Sequence, residues 1–341
     1  MIVLSHITAL EAYRRERPLR AALAHIKAGD IVPGSGSPEA PSASRAEVVA
    51  QEIGLSLPLH ALVPDDSSRK HTKNVHCHAW SGKIPEGALV YLDDDLYLST
   101  PEFLFQQLCP RSDFENRFML GSELVGGYAI SPDGRGGLIQ RPPLCTRSSI
   151  FDFLDSSPGS QGCDRAARVA RYLLEGARSP KEAEIAALYS LPRSLGGRGI
   201  KQIKMNARFE LSDEARRIAR RAYLLFDHFM QIEGRDHEYD SNDFHLTRER
   251  HESDSRRENA LKLMGVKLTI MTNGQLHDWD AFDTIANNLA AGNGAIFRST
   301  SIAIEERQKN LWERLLFGRR VGGKTLLDGK RPERSLDSLA W

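Results

Sequence analysis

The chain has 341 residues, of which 40% are hydrophobic and 27% are charged, as in an ordinary globular protein of two domains or one large domain. Its net charge of +1 excludes nucleic-acid binding through overall positive charge, so such binding would need local patches. No apolar run has the length of a transmembrane helix, no signal peptide opens the chain, and the four cysteines form no C-x-x-C pair. We therefore expect a cytoplasmic protein without a membrane span, a disulfide framework or a zinc knuckle.

Apolar runs and turn signals in residues 1–155 predict an α+β domain, the smaller of two parts. The predicted elements in chain order are a strand ending at Ser5, a helix over Ala9–Arg15, strands at Leu57–Val63 and Asn74–Trp80, a hairpin over Leu89–Ser99, and helices opening at Pro101 and Ser112. Residues 33–45, rich in Pro, Gly and Ser, predict a loop.

Two histidines, His76 and His78, alternate along the second of those strands and so lie on one of its faces. A metal site there would need ligands from elsewhere, and no Cys or His cluster in the sequence supplies them. We therefore expect both side chains to be solvated or hydrogen-bonded.

Three motifs within residues 1–155 resemble those of a known protein family. They are S-H-x-x-A-L from Ser5, S-T-P-E-F-L-F-Q-Q-L from Ser99 and L-G-S-E-L-V-G-G-Y from Leu120. The part resembles abortive-infection antitoxins of the AbiEi type. That resemblance implies a regulatory protein with a toxin partner, and the winged helix that often precedes this core is expected to be absent.

The run S-S-P-G-S-Q-G near 150–162 predicts a domain boundary, and a second domain is expected over 163–292. Its predicted helices cover 163–176, 180–190, 213–221 and 248–264, and its predicted strands are Ala207–Leu211, Tyr223–Met230, Asp236–Tyr239 and Val266–Met271. The order of these elements, three strands followed by a helix and a fourth strand, predicts a mixed sheet of neighbouring strands flanked by helices. The fold class is therefore α/β (α+β-like).

Carboxylates and histidines are concentrated between these strands. Asp227 lies on one predicted strand, and Glu238 and Asp240 lie on the next. Hard divalent cations such as Mg²⁺ prefer carboxylate oxygens. The stretch therefore predicts a metal site.

The pattern D-x10-E-x-D, a later histidine, a D-x-x-R helix and a G-V-x-L strand resemble the PD-(D/E)XK nuclease superfamily, nearest its very-short-patch-repair-like endonucleases. The resemblance implies a domain with a restriction-endonuclease-like sheet, which would hydrolyse DNA with Mg²⁺ or Mn²⁺. Asp227, Glu238 and Asp240 would be the metal ligands, Glu182 a further catalytic residue, and His245 the proton shuttle. The alternative is a non-catalytic antitoxin or regulatory protein that binds a toxin partner or DNA through a degenerate nuclease fold.

Two departures from that family pattern have structural consequences. Asp240 replaces the usual lysine, so the carboxylates would repel one another without a cation. The polar run Glu233–His237 stands where an apolar central strand is expected, which predicts a distorted or edge strand.

The sequence Ser179-Pro-Lys-Glu182 also fits a helix-capping box, so Glu182 has two competing roles.

Several basic residues are candidates for phosphate binding. Arg256 or Arg257 would face a scissile phosphate, although Asp254 and Arg257 also suit a surface ion pair. Lys201 and Lys204, with Arg198, would follow a DNA backbone or belong to a solvated loop. The remainder, 298–341, predicts a basic, partly disordered tail with one helix at about Ile304–Phe317.

Overall fold

The structure is a computed structural model that describes residues 1–15, 31–32, 36–93, 95–132, 137–240, 248–294, 301–318, 320–321 and 324–325. Helices and mixed sheets confirm the α/β fold class. The chain divides into two units, one formed by Met1–Leu173 and the other beginning at Leu174. The first unit is thus larger than the sequence predicts, since it includes the helix that opens at Cys163.

The first unit combines a six-stranded sheet with helices. Its elements are β1 (Ile2–Leu4), α1 (His6–Arg14), β2 (Ile31–Val32), α2 (Ala43–Ile53), β3 (Leu59–Val63), β4 (Val75–Ala79), β5 (Leu89–Asp93), β6 (Leu96–Ser99), α3 (Pro101–Leu108), α4 (Phe114–Leu124), β7 (Tyr128–Ile130), β8 (Leu138–Gln140), α5 (Arg147–Asp155) and α6 (Cys163–Ala170). The sheet order is β2-β5-β6-β1-β3-β4, in which β1 is parallel to β6 and antiparallel to β3. The predicted strands and hairpin are confirmed.

Buried polar contacts join the first two motifs of this unit and link helix α1 to the third. The Gln107 amide accepts from the His6 backbone N–H at 3.3 Å and donates to Ser99 Oγ at 3.0 Å. Arg14 donates to both carboxylate oxygens of Glu123, at 2.8 and 2.6 Å, and both side chains are buried. Because each charge meets a partner, the pair is accommodated in the interior.

The turn before α6 requires glycine at one position. Gly162 has φ 84°, and an added Cβ would lie 2.4 Å from the Gln106 carbonyl oxygen. Gly159 has φ 74°, but an added Cβ would meet no atom within 4 Å. The two positions therefore separate backbone strain from steric overlap.

We predict that Gly162→Ala lowers the free energy of unfolding by about 2–4 kcal/mol, because strain and overlap add. Gly159→Ala, the matched control, should lose only about 1 kcal/mol from the left-handed backbone. Urea denaturation followed by circular dichroism measures both values. Equal losses would show that the overlap at Gly162 relaxes without cost.

The second unit is built around a four-stranded sheet. Its elements are α7 (Pro180–Ser190), β9 (Ile203–Glu210), α8 (Asp213–Ala219), β10 (Tyr223–Met230), β11 (Arg235–Asp240), α9 (Arg248–Leu263), β12 (Lys267–Thr272), α10 (Asn273–His277), α11 (Trp279–Gly292), α12 (Ile302–Phe317), β13 (Arg320–Val321) and β14 (Lys324–Thr325). The helix predicted near the chain's end is thus confirmed as α12.

The strand order β12-β11-β10-β9 confirms that the four predicted strands are neighbours. β10 is antiparallel to β9 and β11, and β11 is parallel to β12. Of the two alternatives predicted for the polar run before Glu238, a distorted strand or an edge strand, the edge position is wrong, because β11 has a neighbour on each side. An apolar cluster that includes Leu224 and Phe226 of β10 and Ala260 and Leu261 of α9 holds the helix against the sheet.

The last helix packs into this unit rather than forming a separate tail. Trp312 Nε1 donates to the Leu276 carbonyl oxygen at 2.9 Å, and Gln308 Nε2 donates to the Gly197 carbonyl oxygen at 3.3 Å. Across the described ranges, no helix combines the length and the apolarity that crossing a bilayer requires.

Candidate functional site

Two predicted site residues, Asp227 and Glu238, are brought together by strand register. His228 pairs with His237 between antiparallel β10 and β11, so Asp227 and Glu238 lie opposite each other one step along. Asp227 Oδ2 accepts a hydrogen bond from the Tyr239 backbone N–H at 3.2 Å. The expectation that these carboxylates occupy adjacent strands is confirmed.

Arg257 reaches from α9 into this carboxylate pair. Its Nη2 lies 3.1 Å from Asp236 Oδ2, contacts the Glu238 carboxylate and donates to the Leu225 carbonyl oxygen at 2.8 Å. Burial lowers the pKa of Arg257, while Asp236 and Asp227 raise it. The guanidinium therefore serves as the internal counter-ion of the site, rather than pairing with Asp254 on the helix surface.

Asp236 was missed by sequence reasoning, although it lies at the centre of the cluster. Its side chain is completely buried on the interior strand. Burial raises the pKa of Asp236 to about 8, with Arg257 opposing the shift and Asp227 adding to it. Its Oδ1 has no hydrogen-bond partner among the described residues. The sequence could have pointed to Asp236 if β11 had been predicted as an interior strand, because an acidic residue on such a strand becomes buried.

A second buried group lies beside it. His237 Nε2 and the Tyr189 hydroxyl of α7 are 3.0 Å apart, and both side chains are fully buried. Burial, and then His228, lower the pKa of His237 well below its ordinary value. His228 Nε2 donates to the Glu182 backbone carbonyl oxygen at 3.0 Å. His237 is therefore neutral, and these contacts attach α7 to the middle of the sheet.

Glu182 takes the helix-capping role that competed with its catalytic role. Its carboxylate accepts from the Arg178 backbone N–H at 2.9 Å and from Ser179 Oγ at 3.0 Å. It also accepts from the side-chain amide of Asn206, a residue in the left-handed region at φ 45°. These three donors stabilise the carboxylate in its present position.

The other predicted site residues are distributed around the cluster. Asp240 is half-buried at the end of β11, and Arg256 pairs with Glu252 at 3.3 Å. Lys201 and Lys204 are exposed. His245 falls in 241–247, outside the described residues.

Arg198, the third basic residue of that predicted loop, is buried. Its side chain is 2% exposed and lies 2.6 Å from Asp283 Oδ1. The guanidinium is also 5.7 Å from the ring centroids of Trp279 and Phe282. Arg198 is therefore a structural residue of the unit and is not accessible to a phosphate.

A divalent cation such as Mg²⁺ needs several oxygen ligands that converge on one point. Among the residues that the structure describes, no three His, Cys, Asp or Glu side chains are arranged to hold a metal ion. Glu238 contacts Arg257, Asp227 receives the Tyr239 N–H, and Glu182 caps its helix. As arranged, the carboxylates do not fit a three-ligand metal centre, and binding of Mg²⁺ or Mn²⁺ stays a prediction.

A histidine cluster in the first unit was also missed. His60 pairs with His76 between parallel β3 and β4, and His60 Nδ1 lies 2.8 Å from His78 Nε2. The His6 ring stacks on that of His78, with centroids 3.6 Å apart and an interplanar angle of 9°. The hydrogen bond of His78 agrees with the prediction that this side chain is solvated or hydrogen-bonded. The clustering of the histidines could not be predicted, because it depends on pairing between strands that are distant in the sequence.

Comparison with protein-family models, curated proteins and solved structures finds no match to this chain. Functional inference therefore depends on the geometry of the site.

The raised pKa of Asp236 predicts a pH-dependent stability. The unfolded chain releases this proton near pH 4, whereas the folded protein retains it until about pH 8. The contribution of Asp236 to stability is thus fully present below pH 4 and is lost as the pH rises toward 8. Asp236→Asn should remove this loss, changing the slope by up to about 1 kcal/mol per pH unit.

Urea denaturation of wild type and Asp236→Asn at intervals from pH 5 to 8 measures that slope. Asp213→Asn is the control, because the Asp213 side chain is 93% exposed, and it should leave the profile unchanged. Parallel profiles for wild type and Asp236→Asn would show that Asp236 is ionised throughout, held so by Arg257.

Proposed function

We propose that the second unit is a non-catalytic, nuclease-like module that binds DNA, and that the protein acts as a regulator of the antitoxin type. The supporting observation is the position of Arg257, whose guanidinium contacts both Asp236 and Glu238. In the PD-(D/E)XK resemblance, Glu238 would instead be a metal ligand. A permanent side-chain cation at this carboxylate neutralises it without supplying an activated water.

Exposed lysines support DNA as the partner. Lys204 projects from β9, the edge strand of the sheet, and Lys201 precedes that strand. Neither lysine has an ion pair with another described residue. Ammonium groups in such positions suit phosphate oxygens, which fix the position of a protein on DNA without reading its sequence. A toxin partner, implied by the resemblance of the first part, is the other outcome that binding experiments would reveal.

Metal-dependent hydrolysis of DNA is the second candidate, favoured by the placement of Asp227 opposite Glu238. Asp227, Glu238 and Asp240 would hold Mg²⁺ or Mn²⁺, and His245 would carry the proton. The cation would polarise the phosphate and lower the pKa of water. This function requires Glu238 to leave Arg257, so the two candidates make opposite predictions for metal binding.

We predict that the wild type binds 30-bp duplex DNA in the presence of a chelator and leaves supercoiled plasmid intact in Mg²⁺ or Mn²⁺. Titration calorimetry should detect no Mn²⁺ binding near millimolar concentration, because Arg257 already neutralises Glu238. Mn²⁺ binding that Asp227→Ala and Glu238→Ala abolish, together with plasmid nicking, would replace this proposal with the hydrolytic one. Absence of DNA binding at low salt would contradict both.

Arg257 and its neighbour Arg256 offer a matched comparison of stability. Arg257→Ala should lower the free energy of unfolding by about 2–4 kcal/mol, because the Glu238 carboxylate loses its cation and the buried Asp236 and the Leu225 carbonyl oxygen lose their donor. Arg256→Ala should lose less than about 1 kcal/mol, since its pair with Glu252 is largely exposed. Urea denaturation at pH 7 measures both. Similar small losses would indicate that Arg257 does not stabilise the cluster.

A further inference from the structure

Strand β9 and the segments that flank it carry a concentration of positive charge, which continues into the connection to β10. Residues 201–221 hold seven Lys or Arg against three Asp or Glu, although the whole chain has a net charge of only +1. Three arginines at the end of this connection, Arg217, Arg220 and Arg221, are all exposed, and we name them the basic corner. The excess charge of the region is therefore displayed to solvent at one place.

Two of the three acidic residues, Glu210 and Asp213, are already paired with other arginines. Glu210 lies 2.6 Å from Arg208 and 3.7 Å from Arg216, and Asp213 lies 3.5 Å from Arg216. Within the described residues, no ion pair or hydrogen bond engages the side chains of the basic corner. The local acids therefore leave these three guanidinium groups available to an external anion.

The backbone at the basic corner is strained in a way that favours glycine. Arg220 ends α8 in the left-handed region, with φ 54° and ψ 33°, and its N–H donates to the Arg216 carbonyl oxygen. Glycine or asparagine usually occupies this position after a helix, because a Cβ is unfavourable there. Glycine in this position would make the protein more stable, so the presence of a charged arginine indicates that its side chain has a function.

The basic corner also adjoins the candidate site. Arg221 is close enough to Arg257 to act on it electrostatically, and this repulsion adds to the lowering of the Arg257 pKa. Arg217 and Arg220, three residues apart near the end of a helix, are neighbours on its surface. A polyanion that crosses the basic corner would relieve the repulsion among these arginines. Duplex DNA presents phosphates at the required high density.

We propose that the basic corner is the principal phosphate-contacting surface through which this protein holds duplex DNA. This inference rests on the proposed function insofar as DNA is the partner, but it does not depend on whether the site hydrolyses DNA. Contacts of exposed guanidinium groups with phosphates position the DNA backbone and carry no base specificity. Binding should therefore be weakly dependent on sequence and strongly dependent on salt.

The test compares two full-length triple variants by fluorescence anisotropy with a 30-bp duplex at several KCl concentrations. One removes the basic corner through Arg217→Ser, Arg220→Gly and Arg221→Ser. The control removes three ion-paired cations of the same unit through Arg208→Ser, Arg216→Ser and Lys262→Ser, so the loss of formal charge is equal. Arg220→Gly relieves the strained backbone, so the first variant is expected to fold.

Loss of the basic corner should weaken binding at least tenfold at 0.1 M KCl and reduce the slope of log Kd against log salt concentration by about 2–3. The control should weaken binding less than threefold with nearly the wild-type slope. Equal effects of the two variants would overturn the inference while leaving the proposed function intact. If the triple variant does not fold, Arg217→Ser with Arg221→Ser should reduce the slope by about 2, and an unchanged slope would overturn the inference.

The two proposals fail in different ways. A wild type that binds no duplex at low salt overturns both of them. DNA that is bound through the basic corner and also cut in Mg²⁺ overturns only the non-catalytic function.

Discussion

The burial of Asp236 and His237 on an interior strand is the constraint on which the second unit depends. A buried carboxyl and a buried imidazole are each unfavourable unless a partner reaches them. Arg257 comes from α9 to meet Asp236, and Tyr189 comes from α7 to meet His237. Each flanking helix is therefore fixed to the sheet by a polar contact as well as by apolar packing.

These contacts explain why the predicted metal ligands are not free to act together. Arg257 contacts the Glu238 carboxylate and also the buried side chain of Asp236, so one guanidinium serves an electrostatic and a structural purpose. Glu182 is held by its cap, and its backbone carbonyl oxygen receives His228. The arrangement brings several acidic side chains together and places a compensating charge within the protein itself.

Much of the fold followed from local patterns in the sequence. Strand-like runs predicted β9–β12 as neighbours in one sheet, and Ser179 and Glu182 predicted the cap of α7. The direction in which the Arg257 side chain points could not be predicted from a local pattern, because D-x-x-R suits an ion pair on the helix surface as well as a contact with the sheet. The polar run before Glu238 indicated an edge strand because its partners, Arg257 and Tyr189, lie far away in sequence. The histidine cluster was hidden for the same reason, since His6 and His60 join His78 only through the sheet.

The anchoring of α12 sets an order of events during synthesis. Gly197 is complete long before Gln308, and the hydrogen bond between them spans 111 residues of chain. Contacts of such long range form slowly, and they cannot form until the later segment has left the ribosome. The described part of the first unit ends at Leu173, so these residues emerge while the second unit is still being made. Nascent chains of this protein therefore pass through a stage in which residues 1–173 are complete while the second unit still lacks the helix that contacts Gly197.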